Sequence, residues 1–109
     1  MVTRITRGRL TPNSESQVFA MLRTAAAAQP VIPGLQSMSL SRVVKDRATI
    51  LVAVTIWDDI DAMARVLGPT WQEPSWMPGL DEFVAEATVE ILETVATSAR
   101  DLLDLAPTG

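Results

Sequence analysis

The reactive inventory of this chain is short. It holds no cysteine, no histidine and no tyrosine. Thiolate nucleophiles, disulfides and zinc–thiolate sites are therefore excluded. So are imidazole as general base, imidazole as haem or metal ligand, and phenol chemistry. What remains is three tryptophans, scattered arginines, threonines and carboxylates. Trp57 follows a long β-branched run. It reads either as a ligand contact or as plain core filling, and a buried indole N–H needs an acceptor in both cases. Trp71 and Trp76 lie in a proline-rich loop, as anchors or, for Trp76-Met77, as a cover over a pocket. Arg4 and Arg7 are candidates to bind an anionic or enolate oxygen if either points inward; on the surface they are ordinary charges. Asp58, Asp59 and Asp61 cluster, but helix capping and the helix dipole explain acids at that point. Glu90 and Glu93 fall on opposite faces of a strand and are expected in solvent. No phosphate loop or nucleophile elbow is present, and no residue stands out as a catalytic base.

These groups need elements to hold them. Residues 2–10 alternate as a strand, neither parity cleanly apolar. Thr11-Pro12-Asn13-Ser14 starts a helix, capped by Thr11 with Pro12 first, or by Ser14 with Gln17 closing a capping box. Val18, Met21, Leu22 and Ala25 carry its apolar stripe, flanked by Phe19, and Gln29-Pro30 ends it. Residues 35–46 form a second strand with Ser37, Ser39 and Ser41 on one face. Lys45-Asp46-Arg47 turns the chain, without the Asn-Gly or Asp-Gly pair of the strongest hairpins. Residues 49–57 are apolar on both parities, as in a strand covered on both faces. Asp58 or Asp59 then caps a helix with Ile60, Met63, Ala64 and Leu67 on one stripe, and Gly68-Pro69 stops it. Residues 68–80 are an apolar loop, with a helical turn at Leu80 to Val84. Residues 87–95 form a fourth strand. The tail, 96–109, has helical spacing at Ala99, Leu102 and Leu103 and frays at Pro107-Thr108-Gly109.

The order β-α-β-β-α-β predicts an α+β, ferredoxin-like domain over residues 1–95, with a four-stranded antiparallel sheet and both helices on one face. Two helices cover one face, yet the third strand is apolar on both. A second subunit stacking sheet on sheet answers this, so a homodimer is expected. The uniformly β-branched parity, Ile50, Val52, Val54 and Ile56, is expected against the helices. Leu51, Ala53, Thr55 and Trp57 are expected in the sheet–sheet interior, where Ala53 and Thr55 leave room for a cavity.

Charge is divided. Residues 1–57 carry seven Lys/Arg against Glu15 and Asp46, a net of +5; residues 58–109 carry Arg65 and Arg100 against eleven acids, a net of −9. The halves attract one another within a fold or between subunits, moderated by screening. The acidic total and the scattered basic residues argue against nucleic acid as a partner. The longest apolar run is too short to span a bilayer, and MVTRITRGRL lacks the apolar core of a signal peptide, so a cytoplasmic protein with no membrane partner is expected.

Pro33-Gly34-Leu35 before strand two, Trp57 closing strand three ahead of an acid-capped helix, the Gly68…Trp71…Pro74…Pro78 loop and the Ala87-Thr88-Val89-Glu90 strand form an ordered set. Over residues 1–95 the chain resembles dimeric α/β-barrel proteins of the antibiotic-biosynthesis-monooxygenase type. The resemblance implies a dimeric barrel with a ligand cavity between helices and sheet or within the barrel. It implies that Trp57 lies at the site. Members oxygenate polycyclic aromatics without metal or flavin, or degrade haem. The haem branch uses a histidine on the second helix, which this chain lacks. The cofactor-free branch uses Asn, Tyr and Arg with the Trp, and here Asn13 is the only asparagine. The expectation is a hydrophobic or aromatic small molecule held by Trp57, Thr55, Ala53, Trp76 and Arg4, with no cofactor and no metal. Cofactor-independent monooxygenation is one reading, and a non-catalytic structural or regulatory dimer the other.

Overall fold

The computed structural model describes residues 1–28, 31–76 and 79–105. The expected end of the first helix at Gln29-Pro30, Met77, Pro78 and the last four residues lie outside these. The elements run β1 (Val2–Leu10), α1 (Glu15–Ala28), β2 (Leu35–Lys45), β3 (Ala48–Trp57), α2 (Ile60–Leu67), β4 (Val84–Glu93) and α3 (Ala99–Leu103), with a 3-10 turn at Asp81–Phe83 before β4. The sheet is antiparallel, in the order β2-β3-β1-β4. This is the ferredoxin-like arrangement, with β1 and β3 central.

Local chemistry explains the junctions. Asp59 caps α2, its carboxylate accepting from the Ala62 N–H at 2.7 Å. The Gly68 N–H closes the far end on the Ala64 carbonyl. Ser14 precedes α1, but its hydroxyl turns back to donate to the Thr11 carbonyl and is no side-chain cap. Asp46 and Arg47 both take positive φ, as a type I′ hairpin requires, although neither is glycine. β4 begins three residues earlier than its alternation suggests, because Leu10 pairs with Val84 beyond an irregularity between Arg7 and Arg9.

The core lies on one side of the sheet and is split in two. Leu10, Leu51 and Leu80 meet Val18 of α1; Val2 and Trp57 meet Met63 of α2. Both helices therefore sit on the face that carries Leu51 and Trp57. This reverses the expected parity. Ala53, Thr55 and Trp57 share the helix side, and Ile50, Val52, Val54 and Ile56 point the other way. Side-chain size is the wrong guide: register decides the face, and Trp57 is large enough to reach a short helix alone. The β-branched set, with Thr3, Ile5 and Leu92 in its rows, has no covering element among the described residues.

Candidate functional site

Between the two core clusters the helix side of the sheet carries a polar patch. Pairing places Arg4 opposite Thr55 and Thr6 opposite Ala53. Directly opposed residues on one face bring their Cβ atoms to about 5 Å. Met38 and Leu40 extend these two rows on β2, and Ile91 and Val89 on β4. Four small or polar side chains are thus framed by apolar ones. The gap in the core has a covalent origin: Thr6, Ala53 and Thr55 are too short to bridge from α1's cluster to α2's.

Arg4 is the unusual member. It is 6% exposed. Its Nη1 donates to Thr6 Oγ1 at 2.9 Å, its Nε to the Trp71 carbonyl at 3.3 Å, and its Nη2 to the Glu73 carbonyl at 2.8 Å and Ser75 Oγ at 3.1 Å. Every acceptor is neutral; among the described residues no carboxylate meets it. Burial pulls its pKa below the ordinary arginine value, the opposite of what an acidic partner does. An arginine keeps its proton even so, leaving a buried cation without a counter-ion among the described residues. The same bonds tie the loop after α2 down onto the sheet.

Trp57 is 2% exposed, and its Nε1 donates to Thr55 Oγ1 at 2.9 Å. Both threonine hydroxyls accept, from Trp57 and from Arg4, and neither donates to another described residue. Thr6 is buried, so only the half-buried Thr55 can offer its proton toward the open side of the patch. Trp76 belongs to the other cluster. Its Nε1 is buried and has no acceptor among the described residues. A Cβ on Gly8 would stand 3.1 Å from Trp76 Cζ2 and 2.3 Å from Val84 Cγ1. Glycine is there because β1 must pass directly beneath the indole. Ala53 and Thr55 are half-buried, and Met38 and Leu40 are exposed, so the patch opens toward β2.

The structure thus gathers Trp57, Thr55, Ala53 and Arg4 on one face and sets Trp76 over β1 at Gly8. Sequence reasoning missed Thr6, Gly8, the Trp71 carbonyl and Ser75 as parts of this arrangement. Thr6 and Gly8 share the parity of Arg4, and that signal was there to read. Contacts from the loop carry no periodicity. Arg7 lies on the opposite face, paired with Glu90 at 2.9 Å. Asp58 accepts from Gln36 and Asp59 caps α2. Two open depressions lie elsewhere. One, of about 720 Å³, runs between the Thr11–Ser16 turn and the β2–β3 hairpin; the other, of about 370 Å³, lies beside Met1 and Asp61. Neither contains an indole.

No protein-family model and no curated protein matches the chain by sequence. Solved structures do match. An antibiotic biosynthesis monooxygenase-type protein from Deinococcus radiodurans superposes with a TM-score of 0.65 at 17% identity, covering all of both chains. A variant of SnoaB, a cofactor-independent oxygenase from Streptomyces nogalater, gives 0.53 at 24% identity over 90% of this chain and 96% of its own. MhuD, a haem degrader from Mycobacterium tuberculosis solved with two haems bound, gives 0.62 at 20% identity over 91% and 100%. The expected resemblance holds at the level of architecture: this chain has the ferredoxin-like fold of the antibiotic biosynthesis monooxygenases.

Proposed function

We propose that this protein, as a homodimer, binds a flat apolar molecule bearing an acidic oxygen on the helix side of its sheet, and oxygenates it without a cofactor. The observation that carries the reading is Arg4, a buried cation whose described partners are all neutral. An enolate or phenolate oxygen beside it would gain a charge-assisted hydrogen bond in a poorly solvated site. The hydroxyl of Thr55 adds a neutral donor, Thr6 holds the guanidinium in place, and the indoles supply flat apolar walls. Stabilising the anion lowers the substrate's own pKa, so water can take the proton and no side-chain base is needed. The carbanion form of the substrate then reduces dioxygen. One oxygen atom bonds to the ring carbon, and the other leaves as water when the quinone forms. The fold is shared with both SnoaB and MhuD and does not choose between them; the lack of any histidine favours this reading over haem degradation.

The experiment is oxygen uptake with an anthrone, comparing wild type, Arg4→Gln and Thr55→Val, each checked for native circular dichroism. Uptake above the uncatalysed rate is expected in wild type, with most of it lost in Arg4→Gln and part in Thr55→Val. Uptake equal to background in the folded wild type overturns the catalytic reading.

A further inference from the structure

We propose that residues 71–75 form a strap latched over the patch by Arg4, and that an ionised oxygen on the ligand releases it, so that the site admits anions and turns away their neutral analogues. This rests on the site proposed above and not on the dimer. It starts from a mismatch. The guanidinium that would meet the ligand is in a residue only 6% exposed, and three of its four hydrogen bonds go to the strap.

The strap runs from one core cluster to the other. Trp71 packs on Val2, Trp57 and Met63, and Trp76, just beyond it, on the cluster of Leu10, Val18, Leu51 and Leu80. Between these indoles Gln72, Glu73, Pro74 and Ser75 are exposed and belong to no helix or strand. The backbone bonds of this stretch are local: the Trp71 N–H donates to the Gly68 carbonyl at 3.2 Å and the Glu73 N–H to the Thr70 carbonyl at 2.9 Å. Among the described residues, every hydrogen bond that joins 71–75 to the sheet comes from Arg4. A segment with few apolar contacts and few backbone bonds opens at low free energy. Arg4 is therefore its latch. Once released, the stretch between the indoles lifts while the indoles hold its ends.

The donor count says which bonds exchange. A guanidinium has five N–H groups. Nε gives one to the Trp71 carbonyl, Nη1 one to Thr6 Oγ1, and Nη2 both of its own to the Glu73 carbonyl and Ser75 Oγ. The fifth, on Nη1, has no acceptor among the described residues. Thr6 is buried and Trp71 half-buried, so these two acceptors are packed in place. Glu73 and Ser75 are exposed, and their acceptors can turn to water. An incoming anion thus takes Nη2, with the spare Nη1 N–H beside it. Charge decides the exchange. The strap's acceptors on Nη2 are a carbonyl and a hydroxyl, and an ionised oxygen makes the stronger bond to a guanidinium, more so away from bulk water. A neutral ether or carbonyl oxygen offers no more than the strap already gives, and gains nothing by displacing it. The latch selects for charge, which flat apolar walls alone do not.

The probes are alizarin, a hydroxylated anthraquinone ionised at neutral pH, and its neutral dimethyl ether. Both are already oxidised and bind without turnover. NMR follows the nuclear Overhauser contacts of the Arg4 side chain with Thr6 and with Ser75, and titration of the protein signals gives affinity in wild type and in Ser75→Ala. Ser75 is exposed, so its truncation leaves the core intact. Alizarin is expected to remove the Arg4–Ser75 contact and keep the Arg4–Thr6 contact, and the dimethyl ether to change neither. Ser75→Ala is expected to bind alizarin about three- to tenfold tighter, the effect of one latch bond fewer to displace. Saturable alizarin binding that keeps the Arg4–Ser75 contact, or equal affinity in the two proteins, overturns the latch and leaves the site. A dimethyl ether that removes the contact as alizarin does overturns the selection by charge. No saturable binding in either protein overturns the site and the latch with it.

Discussion

Arg4 and Gly8 show how one strand parity can hold a site. Position 4 places a cation under the loop, and position 8 removes every side-chain atom so that Trp76 can lie over the strand. Alanine elsewhere in a strand interior generally improves on glycine. At position 8 its Cβ would stand 2.3 Å from Val84 Cγ1 and 3.1 Å from Trp76 Cζ2. Gly8→Ala is therefore expected to cost about 1–3 kcal/mol by overpacking and to change the tryptophan emission. Urea unfolding followed by fluorescence measures both, and an unchanged midpoint would show that Trp76 does not need that space. The residue scale is also where sequence reading is weakest. Arg4 is legible as a candidate because arginine is rare inside a sheet. Its partners are not, since three of its four bonds go to loop residues almost seventy positions away. Nothing in one-dimensional spacing links Trp71, Glu73 and Ser75 to position 4.

Elements are far more legible. The stripe of α2, its Asp59 cap and its Gly68 stop follow from rules that act within one turn, and the structure has them all. The faces of β3 are not, because both parities are apolar and pattern alone cannot choose between them. Branching and size suggest one answer; the alignment of Leu51 with Val18 and of Trp57 with Met63 enforces the other. The start of α3 is held by the Ser98 cap and by one ionised group, Asp101. The Thr97 backbone N–H, followed by its hydroxyl, holds the Asp101 carboxyl below the usual aspartate range. A depressed carboxyl stabilises above its unfolded pKa and ceases to do so as pH falls through its folded one. The start of α3 should therefore stay ordered at neutral pH and open only in acid below the ordinary aspartate range. An acid titration of the Thr97 amide by NMR reads this directly. A transition centred at the ordinary aspartate pKa would mean that these bonds do not persist in solution.

At the scale of the molecule, each face of the sheet has its own role. The helix side carries a divided core with the candidate site in the gap. The other side carries Ile50, Val52, Val54 and Ile56 with no described element to cover them, which is the reason to expect a second subunit. Val54 sits in the middle of that face, opposite Ile5. Val54→Lys would bury an unpaired ammonium in a stacked pair and is expected to give a folded protein that scatters as an 11.8 kDa monomer. A Val54→Lys dimer would remove the sheet-stacking account. The central claim concerns the helix side, and fluorescence titration tests it most directly. A hydroxylated anthracenone is added to wild type and to Arg4→Gln while indole emission is followed. The account predicts saturable quenching in wild type, with affinity about tenfold or more weaker in Arg4→Gln, the loss of about one charge-assisted hydrogen bond. Equal affinity in the two proteins, or quenching that never saturates, would contradict it.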